Sequence, residues 1–315
     1  MHKSLFSLCV KKKKQNPVAG PKYSNVLTMD QKQSDALDAA FAHVPHTCGG
    51  FSRICFPKGE PNLCYKYTLT KCATKEIRAL QALKACREVV LIVDRPCRML
   101  LSTENIDMTR FAMPRMQGDL ASLVLADRLT DELQNTVTKQ LITGMYGMHT
   151  RQVCHLDIKL DNVLYDAVHD AKTGDICHIR VFYTDFGLSE VDVPRGTLCK
   201  GMRGSSAYMP PEMWWSGKEW CPYAADTYSF GVMIFAIYYV CFPYETSNLH
   251  DRNFMKFQNA QALGLSPTHA LAAVWPNQIE LVDKITNAPE WLKEIYDKTL
   301  TIQPEKRMRF AYHSK

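Results

Sequence analysis

No two of the twelve cysteines stand in C-x-x-C spacing, so the usual framework of a structural zinc site is missing. The nearest ligand cluster, His43, His46 and Cys48, lacks a fourth ligand at usable spacing and reads as a loop. A secretory leader is not expected: only a six-residue apolar stretch, Leu5 to Val10, precedes the basic run Lys11 to Lys14. The thiols are therefore expected to be free and the compartment reducing, that is intracellular, cytoplasmic or nuclear. Long hydrophobic runs are scarce. Phe230 to Phe242 has thirteen residues against the roughly 18–20 needed to cross hydrocarbon, so it reads as a helix buried on all sides and no transmembrane segment is expected. Charge of one sign is not in large excess. With 38 Lys plus Arg against 32 Asp plus Glu, the formal charge of +6 is too mild for direct nucleic-acid binding to be expected.

What is present is a globular composition, 46% hydrophobic and 22% charged, in 315 residues. Single cores stop growing near roughly 250–300 residues, which leaves one large domain or two lobes. Residues 1–44 are polar and lysine-rich, carry Pro17, Gly20 and Pro21, and read as a basic flexible tail. The lysine run beside Cys9 fits a solvated tail better than a nuclear signal or a lipidated membrane contact.

Residues 45–315 read as one unit. Phe51 to Phe56 and Leu63 to Leu69 are rich in β-branched and aromatic residues and flank the polar turn Pro57 to Asn62, which predicts a β-hairpin. Ile77, Leu80 and Leu83 recur at helical spacing within Thr74 to Ala85, and Val89 to Asp94 and Arg110 to Met113 are strand candidates. After Gln117-Gly118-Asp119-Leu120 the character changes: Leu133, Val137, Leu141, Met145 and Met148 define an amphipathic helix. The expected organisation is a small β-rich lobe over about 45–112, a connector over about 113–118, and a larger α-rich lobe over about 119–315.

Two segments place acids and an amide at strand ends in a way that packing does not require. One is His155-Leu156-Asp157-Ile158-Lys159-Leu160-Asp161-Asn162, before the strand Val163-Leu164-Tyr165; the other is Asp185-Phe186-Gly187, closing the strand Ile179 to Thr184. Together they resemble the catalytic loop and D-F-G of the eukaryotic protein kinase family, serine/threonine type. The resemblance covers about residues 45 to 310. Gly204 to Glu212 is similar to the family's G-T-x-x-Y-M-A-P-E, with Pro210 where Ala is usual; Asp226 to Gly231 matches D-x-W-S-x-G; Gln303-Pro304-Glu305-Lys306-Arg307 resembles D-P-x-x-R.

The resemblance implies an α+β, bilobal kinase fold and transfer of phosphate from ATP, with Mg²⁺, to serine or threonine of protein substrates. It implies Asp157 as the carboxylate that accepts the hydroxyl proton, Lys159 as the cation on the transferring phosphate, and Asn162 and Asp185 as metal ligands. A buried pair between Arg307 and Glu212, and a structural role for Asp226, are also implied. In the small lobe, Thr47-Cys48-Gly49-Gly50-Phe51-Ser52-Arg53-Ile54 stands where the family carries its glycine-rich ATP loop, with Thr47 and Ser52 at the outer glycine positions. Leu63-Cys64-Tyr65-Lys66 resembles V-A-I-K, which assigns Lys66 to the α and β phosphates and Glu76 as its partner, at a separation of only ten residues. Lys58 has a more ordinary separation from Glu76 but lies in the turn. Met113 to Leu120 resembles the hinge, which implies the Met113 carbonyl and Arg115 N–H as adenine contacts and Ala112 as a small gatekeeper.

Two other readings use the same residues. A pseudokinase, acting as a binding or scaffold module, is favoured by the lost glycines and the short Lys–Glu separation and opposed by Asp157, Lys159, Asn162 and Asp185. A small-molecule phosphotransferase shares HxDxxxxN but leaves Pro211-Glu212 and Asp226 to Gly231 unexplained. Leu156 takes the place of the family's arginine, and leucine makes no charge-assisted bond to a phosphate. Activity is therefore expected to need no phosphate on the activation loop. Ser189→Ala, Thr197→Ala and Ser205→Ala, made singly, should retain phosphate transfer; activity abolished through loss of a phosphate seen by mass spectrometry would overturn this.

Overall fold

The computed structural model of the chain describes residues 46–48, 52–101, 106–215 and 217–310. The fold is α+β and bilobal. In the small lobe, β1 (His46–Cys48), β2 (Ser52–Cys55), β3 (Leu63–Leu69), β4 (Cys97–Leu101) and β5 (Ile106–Pro114) form an antiparallel sheet in the order β1-β2-β3-β5-β4. The turn between β2 and β3 closes with Glu60 N–H donating to the Pro57 carbonyl at 3.3 Å, so Lys58 sits in the turn, exposed.

Helix α1 (Thr70–Ala82) starts directly where β3 ends. This is earlier than the expected Thr74, and it explains the ten-residue separation: no loop lies between strand and helix. Its buried stripe is Cys72, Ala73, Glu76, Ala79 and Leu80, the i, i+3/i+4 pattern of a packed face. Glu76 lies in the middle of that apolar stripe, where a carboxylate needs a partner.

The run Val89 to Asp94 is not a strand. Val90 N–H donates to the Tyr183 carbonyl and Tyr183 N–H to the Glu88 carbonyl, at 3.0 and 2.8 Å, while Val93 N–H donates to Ala112 O at 3.0 Å. Its backbone groups tie the two lobes together instead of joining a sheet, and the fourth strand comes from Cys97–Leu101.

The large lobe begins with β6 (Gly118–Asp119) and α2 (Leu120–Leu125), which the Asp119 side chain caps by accepting from Ser122 N–H at 2.8 Å. Helix α3 (Asp131–Thr150) is capped by Thr130, carries Asp131 and Glu132 in its first turn against the helix dipole, and buries Val137, Leu141, Met145 and Met148. The long hairpin β7 (Val163–His169) and β8 (Ile176–Tyr183) pairs with β6 to form the cleft floor. The apolar run noted in the sequence forms helix α4 (Pro222–Tyr239), buried on nearly every side, with Pro222 at its first turn where a missing N–H costs nothing. No helix among the described residues is long and apolar enough to cross a membrane. Helices α5 (Arg252–Ala262), α6 (Pro267–Val274), α7 (Ile279–Thr286) and α8 (Glu290–Thr299) complete the lobe. At Gly231 on α4 a Cβ would come within 2.8 Å of Leu300 Cδ2, so glycine is what lets the end of α8 approach.

Arg307 and Glu212 form a bidentate pair, with Arg307 Nη1 and Nη2 donating to Oε1 and Oε2 at 2.5 and 2.8 Å. Arg307 also donates from Nε to Thr301 O at 2.9 Å and from Nη1 to Ala224 O at 3.1 Å. Both residues are buried. Removing one partner leaves an uncompensated buried charge, at a cost of about 3–5 kcal/mol. Glu212→Ala should lower stability by that amount in urea unfolding, with Arg307→Ala destabilised comparably.

Candidate active site

Lys66, near the middle of β3, is 4% exposed. Its ammonium donates to Glu76 Oε1 at 2.6 Å and to Asp185 Oδ1 at 2.9 Å. Burial works against its charge, but Asp185 and Glu76 together raise its pKa above the ordinary lysine value. Burial pushes the Glu76 carboxyl up, and the Lys66 ammonium opposes that shift. Asp185 sits in the left-handed region, φ +63°, which turns its carboxylate back toward the cleft before the short helical turn Phe186–Leu188. The Lys66 ammonium holds the Asp185 carboxyl well below its ordinary 3.8, at about 2.

Opposite this triad, the catalytic-loop segment places Asp157 beside Lys159 and Asn162. Lys159 Nζ donates to Asp157 Oδ2 at 2.7 Å and to Ser205 Oγ at 2.9 Å. Asn162 Nδ2 donates to Asp157 Oδ2 and to its carbonyl, each at 2.9 Å. One oxygen of Asp157 is thus held by two donors, while Oδ1 is buried with no partner. Since both donors on Asn162 serve Asp157, its Oδ1 is left as a free oxygen ligand.

His155 links the two halves of the site. Asp157 N–H donates to its Nδ1 at 3.2 Å, which leaves Nε2 as the protonated nitrogen, donating to the Thr184 carbonyl at 2.9 Å. Its ring packs on Phe186 at 4.7 Å between centroids. Asp226 anchors the loop from below, accepting from His155 and Leu156 N–H at 2.7 Å each and contacting His149 Nε2 at 3.1 Å. These two backbone bonds hold Leu156 in its φ +63° turn. Gly204, φ +89°, lies so close to the same turn that a Cβ would stand 2.5 Å from the Leu156 carbonyl. The linking role of His155 has as its only sequence signal its place two residues before Asp157; Ser205, read from the sequence as standing at the family's G-T position, holds Lys159.

Register places the small-lobe residues. Ile54 pairs with Lys66, and Lys66 with Phe111, so these positions share the cleft-side face; Thr47 is the β1 register partner of Ile54. Ser52 and Cys64, each two residues from one of them, lie on that face as well. Arg53 pairs with Tyr67 and Cys48, which turns its side chain away from Lys66 and corrects its assignment to the nucleotide side. Gly49, Gly50 and Phe51 lie outside the described residues.

The hinge assignment also needs correction. Ala112 pairs with Tyr65, on the face opposite Lys66, and its N–H donates to Asp94 Oδ1 at 2.8 Å. Phe111 and Met113 occupy the inner face instead. Arg115 N–H donates to the Asn62 carbonyl at 2.8 Å and is therefore spent. The antiparallel alternation makes Cys64 and Met113 the next hydrogen-bonded pair, so the Met113 carbonyl faces β3 too. The extended β3–β5 ladder thus consumes both groups expected to meet adenine.

Leu156 packs with Cys154, Val193, Met209, Met213, Trp220 and Ala225 in an apolar cluster. Ser189 is fully buried and donates to the Phe186 carbonyl at 2.7 Å. The expectation that Ser205→Ala retains transfer is corrected by the bond from Lys159 to Ser205: that variant should lower transfer without any phosphate being involved, while the expectation for Thr197→Ala stands. A cavity of about 630 Å³ lies elsewhere in the large lobe, between the end of α3, Trp215, Trp220 and Phe310.

Comparison with known proteins agrees with this geometry. A family model described as "Protein kinase domain" matches residues 64–313. The chain is 28% identical over 188 residues to the serine/threonine-protein kinase SAPK2 of Oryza sativa subsp. indica, covering 54% of this chain and 51% of that protein. It is 24% identical over 263 residues to the serine/threonine-protein kinase PRR1 of Saccharomyces cerevisiae, covering 74% and 49%. With the probable serine/threonine-protein kinase CCRP1 of Zea mays the identity is 30% over 180 residues, covering 57% and 24%. The chain spans about half the length of the rice and yeast relatives it matches.

Ionised Asp185, paired with Lys66, stabilises the folded chain. Its folded pKa lies below the ordinary one, so its stabilisation is complete above about pH 4 and is lost as pH falls toward 2. The stability difference between the wild type and Lys66→Met should therefore shrink through that window. Carboxyl NMR should show Asp185 titrating near 2 in the wild type and higher in Lys66→Met.

Proposed function

Because this chain belongs to the protein kinase domain family, we propose that it transfers phosphate from ATP to serine or threonine hydroxyls of protein substrates. The observation that carries the reading is Asp157: one oxygen is pinned by Lys159 and Asn162, and the other has no hydrogen-bond partner. A general base needs that arrangement, an oriented carboxylate with an open acceptor.

The residues fit Mg²⁺ and ATP. Asn162 Oδ1 and the second oxygen of Asp185 are hard donors of the type Mg²⁺ prefers. Mg-ATP, when bound, supplies the phosphoryl group and screens its charge. Lys66, kept charged by Glu76 and Asp185, binds the α and β phosphates. Asp157 takes the proton of the acceptor hydroxyl at Oδ1, and Lys159 beside it stabilises negative charge as it develops. At the hinge, the correction above moves the adenine contacts by one residue, to the Pro114 carbonyl and Met116 N–H. Proline at that point costs nothing, since only its carbonyl is used. Lys159 in the catalytic loop and Ser205 at the family's G-T position support serine or threonine as the acceptor.

A non-catalytic binding module is the second reading, favoured by Thr47 and Ser52 at the outer glycine positions. Purified chain should phosphorylate a generic basic protein with Mg-ATP, and Asp157→Asn and Asp185→Asn should each lower the rate by roughly 10²- to 10⁴-fold. Transfer unchanged in both variants would reject the mechanism. Nucleotide binding without transfer by the wild type would favour the binding module.

A further inference from the structure

Glu190, to which none of the motifs assigns a role, sits where three parts of the catalytic unit meet. Its backbone pairs with Cys154 in both directions, Cys154 N–H to Glu190 O at 3.0 Å and Glu190 N–H to Cys154 O at 2.9 Å, one residue before His155. Its Oε1 accepts from Lys75 Nζ at 3.0 Å and from Arg203 Nη1 at 2.5 Å. Lys75 immediately precedes Glu76 on α1. Arg203 immediately precedes Gly204 and Ser205, the residue that holds Lys159.

One carboxylate therefore joins the helix that presents Glu76, the segment that enters the catalytic loop, and the segment that positions Lys159. The pair is not an ordinary surface contact. Glu190 and Arg203 side chains are each 29% exposed, the backbone of Glu190 is fixed by the Cys154 bridge, and two cations share a single oxygen. Burial alone would raise the Glu190 carboxyl, yet its bonds from Lys75 and Arg203 hold it below the usual carboxylate value. A neighbouring pair, Arg78 with Asp192 at 2.8 Å, runs from α1 to the same segment but is largely exposed and contributes little.

A bridge of this kind needs a fixed anion between cations on separate elements. A phosphorylated loop can supply one, but only where a cation stands at the catalytic loop to receive it. At position 156 there is leucine in an apolar cluster, and the anion is instead a residue of the chain. We propose that Glu190 is a positioning residue for phosphoryl transfer, clamping α1 and the Arg203–Ser205 segment to the catalytic loop so that Glu76 stays on Lys66 and Ser205 on Lys159. This rests on the kinase reading above.

The test is Glu190→Gln, which removes the charge and keeps the shape, with Lys75→Met, the double variant, and Asp192→Asn for comparison. Glu190→Gln should lower kcat about tenfold or more, the loss of a hydrogen-bonded charge, with acceptor KM changed less than kcat. Amide hydrogen exchange in residues 71–82 should rise, and Asp192→Asn should stay within about twofold of the wild type. Adding Lys75→Met to Glu190→Gln should cost little more, because both break one bridge. Should Glu190→Gln fail to fold, Glu190→Asp, which keeps the charge at shorter reach, is read by the same measures. A kcat within twofold of the wild type, unaltered exchange in α1, or losses that multiply in the double variant would overturn the proposal. If the wild type transfers no phosphate, the kinase reading fails instead; α1 exchange and affinity for Mg²⁺ with a non-hydrolysable ATP analogue then decide the clamp by themselves.

Discussion

A lysine ammonium buried in a protein interior must be paired, and the placement of Lys66 imposes that demand on both lobes. One partner, Glu76, comes from α1, which begins without a loop where β3 ends; the other, Asp185, comes from a left-handed turn in the opposite lobe. The triad thus spans the cleft. Any change in the angle of α1 or in the Asp185 turn leaves a charge exposed to low dielectric without its counter-charge, which ties the geometry of the site to the packing of the lobes.

A second set of buried polar contacts does the same for the large lobe. Asp226, on a helix buried on nearly every side, spends its carboxylate on two consecutive backbone N–H groups and so fixes the loop carrying Asp157. Arg307 grips Glu212 through two parallel hydrogen bonds and three carbonyls, tying the end of the described chain to the segment after Ser205. His155 connects these anchors to Thr184 and hence to Asp185. The backbone that carries the cleft acids is therefore held by groups that have no part in the chemistry, while Lys66, Lys159 and Asn162 orient the carboxylates themselves.

How the activation segment is held follows from a substitution that alters packing and charge together. Leucine at 156 removes a cation from the catalytic loop and adds an apolar contact to the cluster of Met209, Met213 and Trp220. On the proposal above, Glu190 between Lys75 and Arg203 supplies the anion from within the chain. A basic residue at 190 would face Lys75 and Arg203 with no anion between them.

Much of this was legible in the sequence because the chemistry depends on residues close together in the chain. Asp157, Lys159 and Asn162 sit within six residues, Asp185 closes a recognisable strand, and the apolar period marks α3 and α4. What failed was register and connection. Val89 to Asp94 has the composition of a strand, yet its backbone bonds go to Tyr183 and Ala112, which composition does not encode. The hinge was misplaced because the β3–β5 ladder runs one pair further than the motif suggests, and in a sheet one step of register exchanges the faces and the spent hydrogen-bonding groups. Glu190 was invisible for a related reason: a lone acid on a polar segment has no local signature, and its cations lie 115 and 13 residues away. The sequence by itself determined which residue types stand at the candidate site and where the main amphipathic and buried helices run, since those depend on residue type and local period. Only the tertiary structure decided which backbone groups stay free and which distant charges meet, because both are settled by pairing across the fold.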